Sequence, residues 1–146
     1  MDKAIEPRMH SAEHILNQTM DRIYECGRCF RAHVEKKKSK CDYHFDHELT
    51  EEEIKSLESK VNEVIQMDLS VSEEFLSRLE AAEQYNMSKV PDSAVDRIRI
   101  VKIGDYDACP CIGPHVQKTT DIGVFQIIST SFDNGVLRIR FHLSEQ

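Results

Sequence analysis

The chain has 146 residues, with 19 Lys and Arg against 26 Asp and Glu, 40% hydrophobic and 7% aromatic residues, the size and balance of one globular domain. A chain of this length buries roughly 68–70% of its unfolded surface, so its core requires neither a disulfide nor a metal, and two full domains do not fit. No run approaches the ~18 apolar residues of a membrane span, and Met1 to Arg8 holds no apolar stretch of the signal-peptide kind, so the expected location is cytoplasmic and no membrane partner is expected.

In chain order, the pattern is that of an α+β domain with an antiparallel sheet packed against helices, spanning residues 1–146 as one unit. Ile15, Leu16, Met20 and Ile23 recur at helical spacing and predict a first helix from about Met9 to Tyr24, carrying His10 and His14. Phe30 to Glu35 and Cys41 to His47 read as two strands joined across a lysine loop. In the second of these, Tyr43 and Phe45 alternate with Asp42, His44 and Asp46. Thr50 followed by Glu53 is a capping box ahead of the stripe Ile54, Leu57, Val61, Val64 and Ile65, which predicts a helix from Thr50 to about Gln66.

A further helix is expected with Ser72 as N-cap and Phe75, Leu76 and Leu79 facing inward. Gln84 to Ser93, with Asn86, Ser88 and Pro91, then breaks it. Arg97 to Ile103 is a β-type segment, and from there strands and loops are expected. Val124 to Ser129 and Val136 to Leu143 flank Asn134-Gly135, the strongest short hairpin signal. Leu137, Ile139, Phe141 and Leu143 there alternate with Arg138, Arg140 and His142.

Five cysteines, an odd number, argue for free thiols or metal ligands rather than a disulfide framework. A formal net charge of −7 opposes non-specific binding to polyanions, DNA included, and leaves Lys36, Lys37, Lys38 and Lys40 as the one basic cluster.

Two short elements carry metal-type donors. His10 and His14 stand one helical turn apart, so both imidazoles can face one ion. Cys111 and His115 bracket Ile112-Gly113-Pro114, a bend that lets a thiolate and an imidazole converge. Together they supply four N/S donors of the type and number that zinc takes tetrahedrally, with Cys109 as a rival thiol. His10-x-x-Glu13-His14 also matches the inverted zinc-peptidase motif, which requires a downstream carboxylate ligand. Glu73, Glu74 and Glu80 are the candidates, on a chain short for such an enzyme. Cys26-x2-Cys29 with Cys41-x2-His44 has the spacing of a zinc knuckle. In a strand, however, Cys41 and His44 point to opposite faces, which favours buried free thiols.

The strings His10-Ser-Ala-Glu-His14-Ile-Leu, Ser39-Lys-Cys-Asp-Tyr-His-Phe45, Arg99-Ile-Val-Lys-Ile-Gly-Asp-Tyr-Asp107, Cys111-x-Gly-x-His115-Val and Thr119-Thr-Asp-Ile-Gly-Val-Phe125 together resemble the editing domain shared by alanyl- and threonyl-tRNA synthetases. The resemblance covers nearly the whole chain, in the manner of a stand-alone trans-editing protein of the AlaX type. It implies Zn2+ held by His10, His14, Cys111 and His115 in a cleft that takes the acceptor end of mischarged tRNA. It also implies hydrolysis of the ester to a wrong small amino acid, with serine or glycine on tRNA of the alanine type first and tRNA of the threonine type as an alternative. A non-catalytic zinc module that holds RNA or protein is the other class to weigh. The family loop usually reads Cys-Gly-Gly-Thr-His, whereas Ile112 and Pro114 stand here in place of a Gly and a Thr, so the loop is stiffer and the pocket lining differs. No aminoacylation module is recognisable, so ligase activity is not expected.

Zinc in such a site either activates water by lowering its pKa toward ~7 or anchors the substrate's α-amino group and carbonyl. With four protein ligands, water activation requires one of them to leave or the ion to become five-coordinate, so anchoring competes with it; should one ligand be loose, Cys111 is the expected one, because Gly113 frees its loop. Glu13 is the candidate to orient water or a histidine, and Lys89 the candidate contact to a phosphate near the terminal adenosine. Gly113 lines the expected substrate pocket, and Lys36, Lys37, Lys38 and Lys40 are candidates to meet the acceptor stem through its phosphates.

Overall fold

The computed structural model describes residues 6–88, 90 and 96–145. Helix α1 spans Pro7–Tyr24; Glu6 caps it by accepting from the Arg8 N–H at 3.2 Å, and Pro7 stands at the first helical position, where a missing N–H costs nothing. It ends at Glu25 in the left-handed conformation (φ 52°). Strands β1 (Arg31–His33) and β2 (Ser39–His44) form the expected hairpin across the lysine loop. Helix α2 (Glu51–Gln66) carries the full reciprocal capping box of Thr50 and Glu53 and buries Leu57, Val61, Val64 and Ile65.

The chain departs from expectation after α2. Val71–Ser77 is a strand, β3, where a helix with N-cap Ser72 was expected, and it pairs antiparallel with β4 (Arg97–Ile103) at every position. The spacing of Phe75, Leu76 and Leu79 mimics a helical stripe, yet Phe75 and Leu79 are exposed. Over so short a run, periodicity cannot separate a strand from a helix, and seven ladder pairings with a strong β former prevail. The helix begins later, as α3 (Arg78–Gln84), under a second reciprocal capping box formed by Ser77 and Glu80. Its end at Gln84 agrees with the expected break.

Strand β5 (Asp107–Pro110) completes a three-stranded sheet in the order β3-β4-β5. A short 3-10 turn, Thr119–Ile122, interrupts the stretch expected to hold only strands and loops. Strands β6 (Val124–Asp133) and β7 (Val136–Ser144) meet at Asn134-Gly135, both at positive φ (49° and 79°), the conformation that a two-residue hairpin of matching twist requires. The second sheet runs β1-β2-β7-β6 and is antiparallel throughout. The α+β class thus holds, with its strands divided between two antiparallel sheets.

The main core lies between the four-stranded sheet and helices α1 and α2. Met9, Ile15, Leu16 and Met20 meet Tyr43, Phe125, Leu137, Ile139 and Phe141 there. Helix α2 is fastened to β6 by its Asn62 side chain, which donates to the Phe125 carbonyl and accepts from the Phe125 N–H, both at 2.8 Å. A smaller core of Ala81, Ile98 and Ile100 lies beneath α3. Asp42, which alternates with Tyr43 along β2, is buried as well, and Arg31 and Arg138 clasp its carboxylate at 2.7–3.0 Å. Among the described residues no helix is long and apolar enough to cross a membrane.

Candidate metal centre and its cleft

Strand β5 and the loop after it cross the N-terminal half of α1, and this crossing unites the two donor pairs. One donor atom each from His10, His14, Cys111 and His115 lies within 4.8 Å of the others. The Cys111 Sγ is 3.3 Å from His10 Nε2 and 3.5 Å from His115 Nε2. Bonds of ~2.3 Å to sulfur and ~2.0–2.1 Å to nitrogen at a tetrahedral ion separate the two donors by about 3.5 Å, so the spacing fits zinc.

Each imidazole is oriented through its other nitrogen. His10 Nδ1 lies 3.1 Å from the Pro114 carbonyl, and His115 Nδ1 lies 2.9 Å from Ser11 Oγ. His14 Nδ1 lies 3.3 Å from Cys109 Sγ and 3.6 Å from an oxygen of Asp107. With the three Nδ1 atoms engaged, the Nε2 atoms are left to face an ion, and such outer hydrogen bonds set tautomer and ring angle in metal sites. Cys109, the rival ligand, therefore sits on the outer side of His14, in a second donor group with Asp107.

The electrostatics follow from these contacts. Burial pushes the Cys111 thiol up, but hydrogen bonds with His10, His115 and His14 outweigh it and hold it at about 3. Burial opposes charge on His14, yet Asp107, Cys109 and Cys111 raise it well above the usual imidazole range. Burial is the main reason that His115 is lowered. Asp107 has no exposed side-chain surface; burial disfavours its charge, but His14 and Arg28 hold it well below the usual carboxylate range. Arg28 Nη1 meets Asp107 at 2.7 Å, and Gln18 donates to the same carboxylate at 2.8 Å.

The Cys111 loop is held on both sides. Arg99 on β4 accepts from the Cys111 N–H and donates to the Cys111 and Gly113 carbonyls at 3.2 and 2.7 Å, while also pairing with Glu73. The freedom expected of Cys111 is therefore removed by a guanidinium clamp from the neighbouring strand. Gly113 is required for packing: a Cβ there would stand 2.6 Å from His10 Nδ1.

The centre opens into a cleft of about 740 Å³ lined by His10, Glu13, Asn17, Arg28, Phe30 and Ile112, among others. Glu13 is buried in its wall, with Oε1 3.8 Å from His10 Nε2 and Oε2 accepting from Asn17 at 3.1 Å. Gly113 lines the same cleft. Lys36, Lys37 and Lys38 are exposed on the β1–β2 turn and Lys40 is half-buried on β2; none lines the cleft. Lys38 and Lys40 instead border a separate hollow with His33 and Arg140. Lys89 lies outside the described residues.

The peptidase reading finds no third ligand among its candidates: Glu73 pairs with Arg99, Glu74 with Lys102, and Glu80 caps α3. The knuckle set is also divided. Cys29 and Cys41 meet Glu13, Cys26 turns to the Met20 and Gly27 carbonyls, and His44 stacks on Phe30. Sequence reasoning missed Asp107, Arg28, Arg99 and Ser11. Ser11 stood within the histidine motif, whereas the others reach the centre only through strand pairing and packing.

Fold and site define a class: an α+β domain in which a helix and a loop present three imidazoles and a thiolate at the base of a cleft. The family described as the threonyl and alanyl tRNA synthetase second additional domain matches residues 98–140. Alanine–tRNA ligase of Thermoanaerobacter sp. (strain X514) is 32% identical over 136 residues, covering 90% of this chain and 15% of that protein. The alanine–tRNA ligases of Aeropyrum pernix (34% over 140 residues) and Methanopyrus kandleri (28% over 146) match 92% and 94% of this chain and 15% and 16% of the respective ligases. The chain is thus similar over nearly its whole length to a segment of alanine–tRNA ligases, and its residues 98–140 to the second additional domain of the threonyl and alanyl tRNA synthetases. It spans about 15% of the length of the curated relatives it matches.

Proposed function

We propose that the chain is a Zn2+-dependent aminoacyl-tRNA deacylase that hydrolyses mischarged tRNA in trans, with serine or glycine on tRNA of the alanine type as first substrates. The observation that carries this reading is the four-donor centre at the base of an open cleft. His10, His14, Cys111 and His115 are the proposed ligands, and their donor spacing and engaged Nδ1 atoms fit that ion. When bound, zinc supplies a positive charge and Lewis-acid polarisation beside the ester carbonyl.

The protein's own groups do the rest. Glu13, in the cleft wall, orients the attacking water through Oε1, accepts its proton as the water oxygen bonds to the ester carbon, and returns that proton to the ribose oxygen as the ester C–O bond breaks. Gly113, in the cleft wall, is the proposed contact for the terminal ribose through its backbone, and Ile112, exposed at the loop tip, bounds the amino-acid pocket. Lys36, Lys37, Lys38 and Lys40 are the proposed acceptor-stem contacts, and Lys89 the proposed contact near the terminal adenosine, all through phosphates that position without reading sequence. A cytoplasmic setting follows from that substrate.

The test is deacylation of Ser-, Gly- and Ala-tRNA of the alanine type beside Ser-tRNA of the threonine type, with and without chelator. The expected result is chelator-sensitive hydrolysis of a mischarged substrate with Ala-tRNA of the alanine type spared. A zinc-loaded protein that binds these tRNAs and cleaves none would establish the non-catalytic binding module instead.

A further inference from the structure

A further donor group, distinct from the Cys109–Asp107 group, lies beside the first, and neither the sequence motifs nor the family comparison joins Glu13 to Cys29 and Cys41. The Glu13 carboxylate and the thiols of Cys29 and Cys41 each offer an atom within 4.8 Å of the others, with Glu13 Oε2 3.5 Å from Cys29 Sγ. At a tetrahedral ion with bonds of ~2.3 Å to sulfur and ~2.0–2.2 Å to carboxylate oxygen, the O···S separation is about 3.5 Å. The set is assembled from three elements: Glu13 from α1, Cys29 from the segment before β1, and Cys41 from β2.

We propose that Glu13, Cys29 and Cys41 form a second metal site, for a thiophilic divalent cation of the zinc class, contiguous with the cleft. The sulfur-rich donor set selects a soft or borderline ion over magnesium or calcium. Its supporting hydrogen bonds are in place: Asn17 Nδ2 donates to Glu13 Oε2 at 3.1 Å, and Asn17 Oδ1 accepts from the Cys29 N–H at 3.1 Å and from the Tyr43 hydroxyl at 2.7 Å. One amide thereby orients the carboxylate and holds the Cys29 backbone, the kind of outer support that ligating groups carry.

Access is provided on one side, because Glu13 and Cys29 line the cleft while Cys41 is fully buried behind them. Three protein ligands and one open side leave a coordination position for a cleft-borne ligand, as catalytic rather than structural sites do. Glu13 joins the two centres, since Oε2 belongs to this group and Oε1 faces His10 of the other at 3.8 Å. The proposal stands on the donor geometry alone and does not depend on the deacylase reading.

The test is anaerobic titration of the reduced, metal-free full chain with Co2+, read by native mass spectrometry and by thiolate-to-cobalt charge-transfer absorption. Wild type is expected to take up about two equivalents, and the Cys29→Ser, Cys41→Ser variant about one. The Cys111→Ser, His115→Ala variant, which opens the first centre from its loop and leaves α1 unaltered, is expected to keep one equivalent with charge-transfer absorption. Glu13→Gln retains both thiols and weakens that remaining ion, and thermal melts of each variant verify the fold. Uptake of one equivalent by wild type, with none in Cys111→Ser, His115→Ala, would overturn the proposal. So would a second equivalent that persists in Cys29→Ser, Cys41→Ser. Neither result bears on whether the first centre supports deacylation.

Discussion

Gly113 and the imidazole of His10 are in direct contact: the loop backbone lies against the ring, and a Cβ at 113 would approach Nδ1 to 2.6 Å. That nitrogen also lies 3.1 Å from the Pro114 carbonyl, so loop and ring position each other. Gly113→Ala is therefore expected to shift His10 out of register and weaken metal binding about tenfold or more, through the misplacement of one ligand. Competition with a calibrated chelator measures this, and unchanged affinity would show that the ring has room to yield.

Asp107 stands outside the four-donor centre and is expected to tune its affinity nonetheless. Its carboxylate stands 3.6 Å from His14 Nδ1 and is locked by Arg28 and Gln18. Loss of such an outer carboxylate typically costs about 10–100-fold in metal affinity. Asp107→Asn is thus predicted to raise the dissociation constant of the four-donor centre by that factor. Isothermal titration with Zn2+ under a competing ligand checks it, with Asp105→Asn as a control of equal charge change.

The clasp of Asp42 by Arg31 and Arg138 makes stability depend on acid pH. The hydrogen bond from Arg138, against burial and together with Arg31, lowers this carboxyl from 3.8 to about 2. Because the folded value lies below the unfolded one, the stabilisation is fully present above about pH 4 and is lost as pH falls toward 2. With partly exposed guanidinium groups that screen the pair, it amounts to about 1–2 kcal/mol. Urea denaturation of wild type and Asp42→Asn across this range should show a gap of that size at pH 6 that closes by pH 2; a constant gap would contradict the linkage.

If the lysine loop meets tRNA phosphates, salt will report it. Each Lys–phosphate contact contributes a little under one unit to the slope of log affinity against log salt, so two to four contacts give roughly −1.5 to −3.5. Replacing Lys36, Lys37, Lys38 and Lys40 by Ala is expected to flatten that slope and raise KM, with kcat retained. An unaltered slope would move the RNA face to Lys89, Arg97, Arg99 and Lys118.

Much of this architecture was legible in local patterns, because it is enforced locally. The Thr50–Glu53 box starts α2 through bonds spanning three residues, and Asn134-Gly135 turns β6 into β7 through its own backbone conformation. The spacings of His10 with His14 and of Cys111 with His115 likewise announced a metal-type centre before any packing was known. Pairing decided the rest. Val71–Ser77 is a strand because β4 offers it a full ladder, and Phe75 and Leu79 remain outside as a result. Asp107 meets His14, Arg99 clamps the Cys111 loop, and Glu13 gathers Cys29 and Cys41 only because β4, β5 and β2 arrive against α1. A hydrogen bond or donor distance between residues tens of positions apart is set by which strands share a sheet and which faces share a core, and no short window of sequence holds that information.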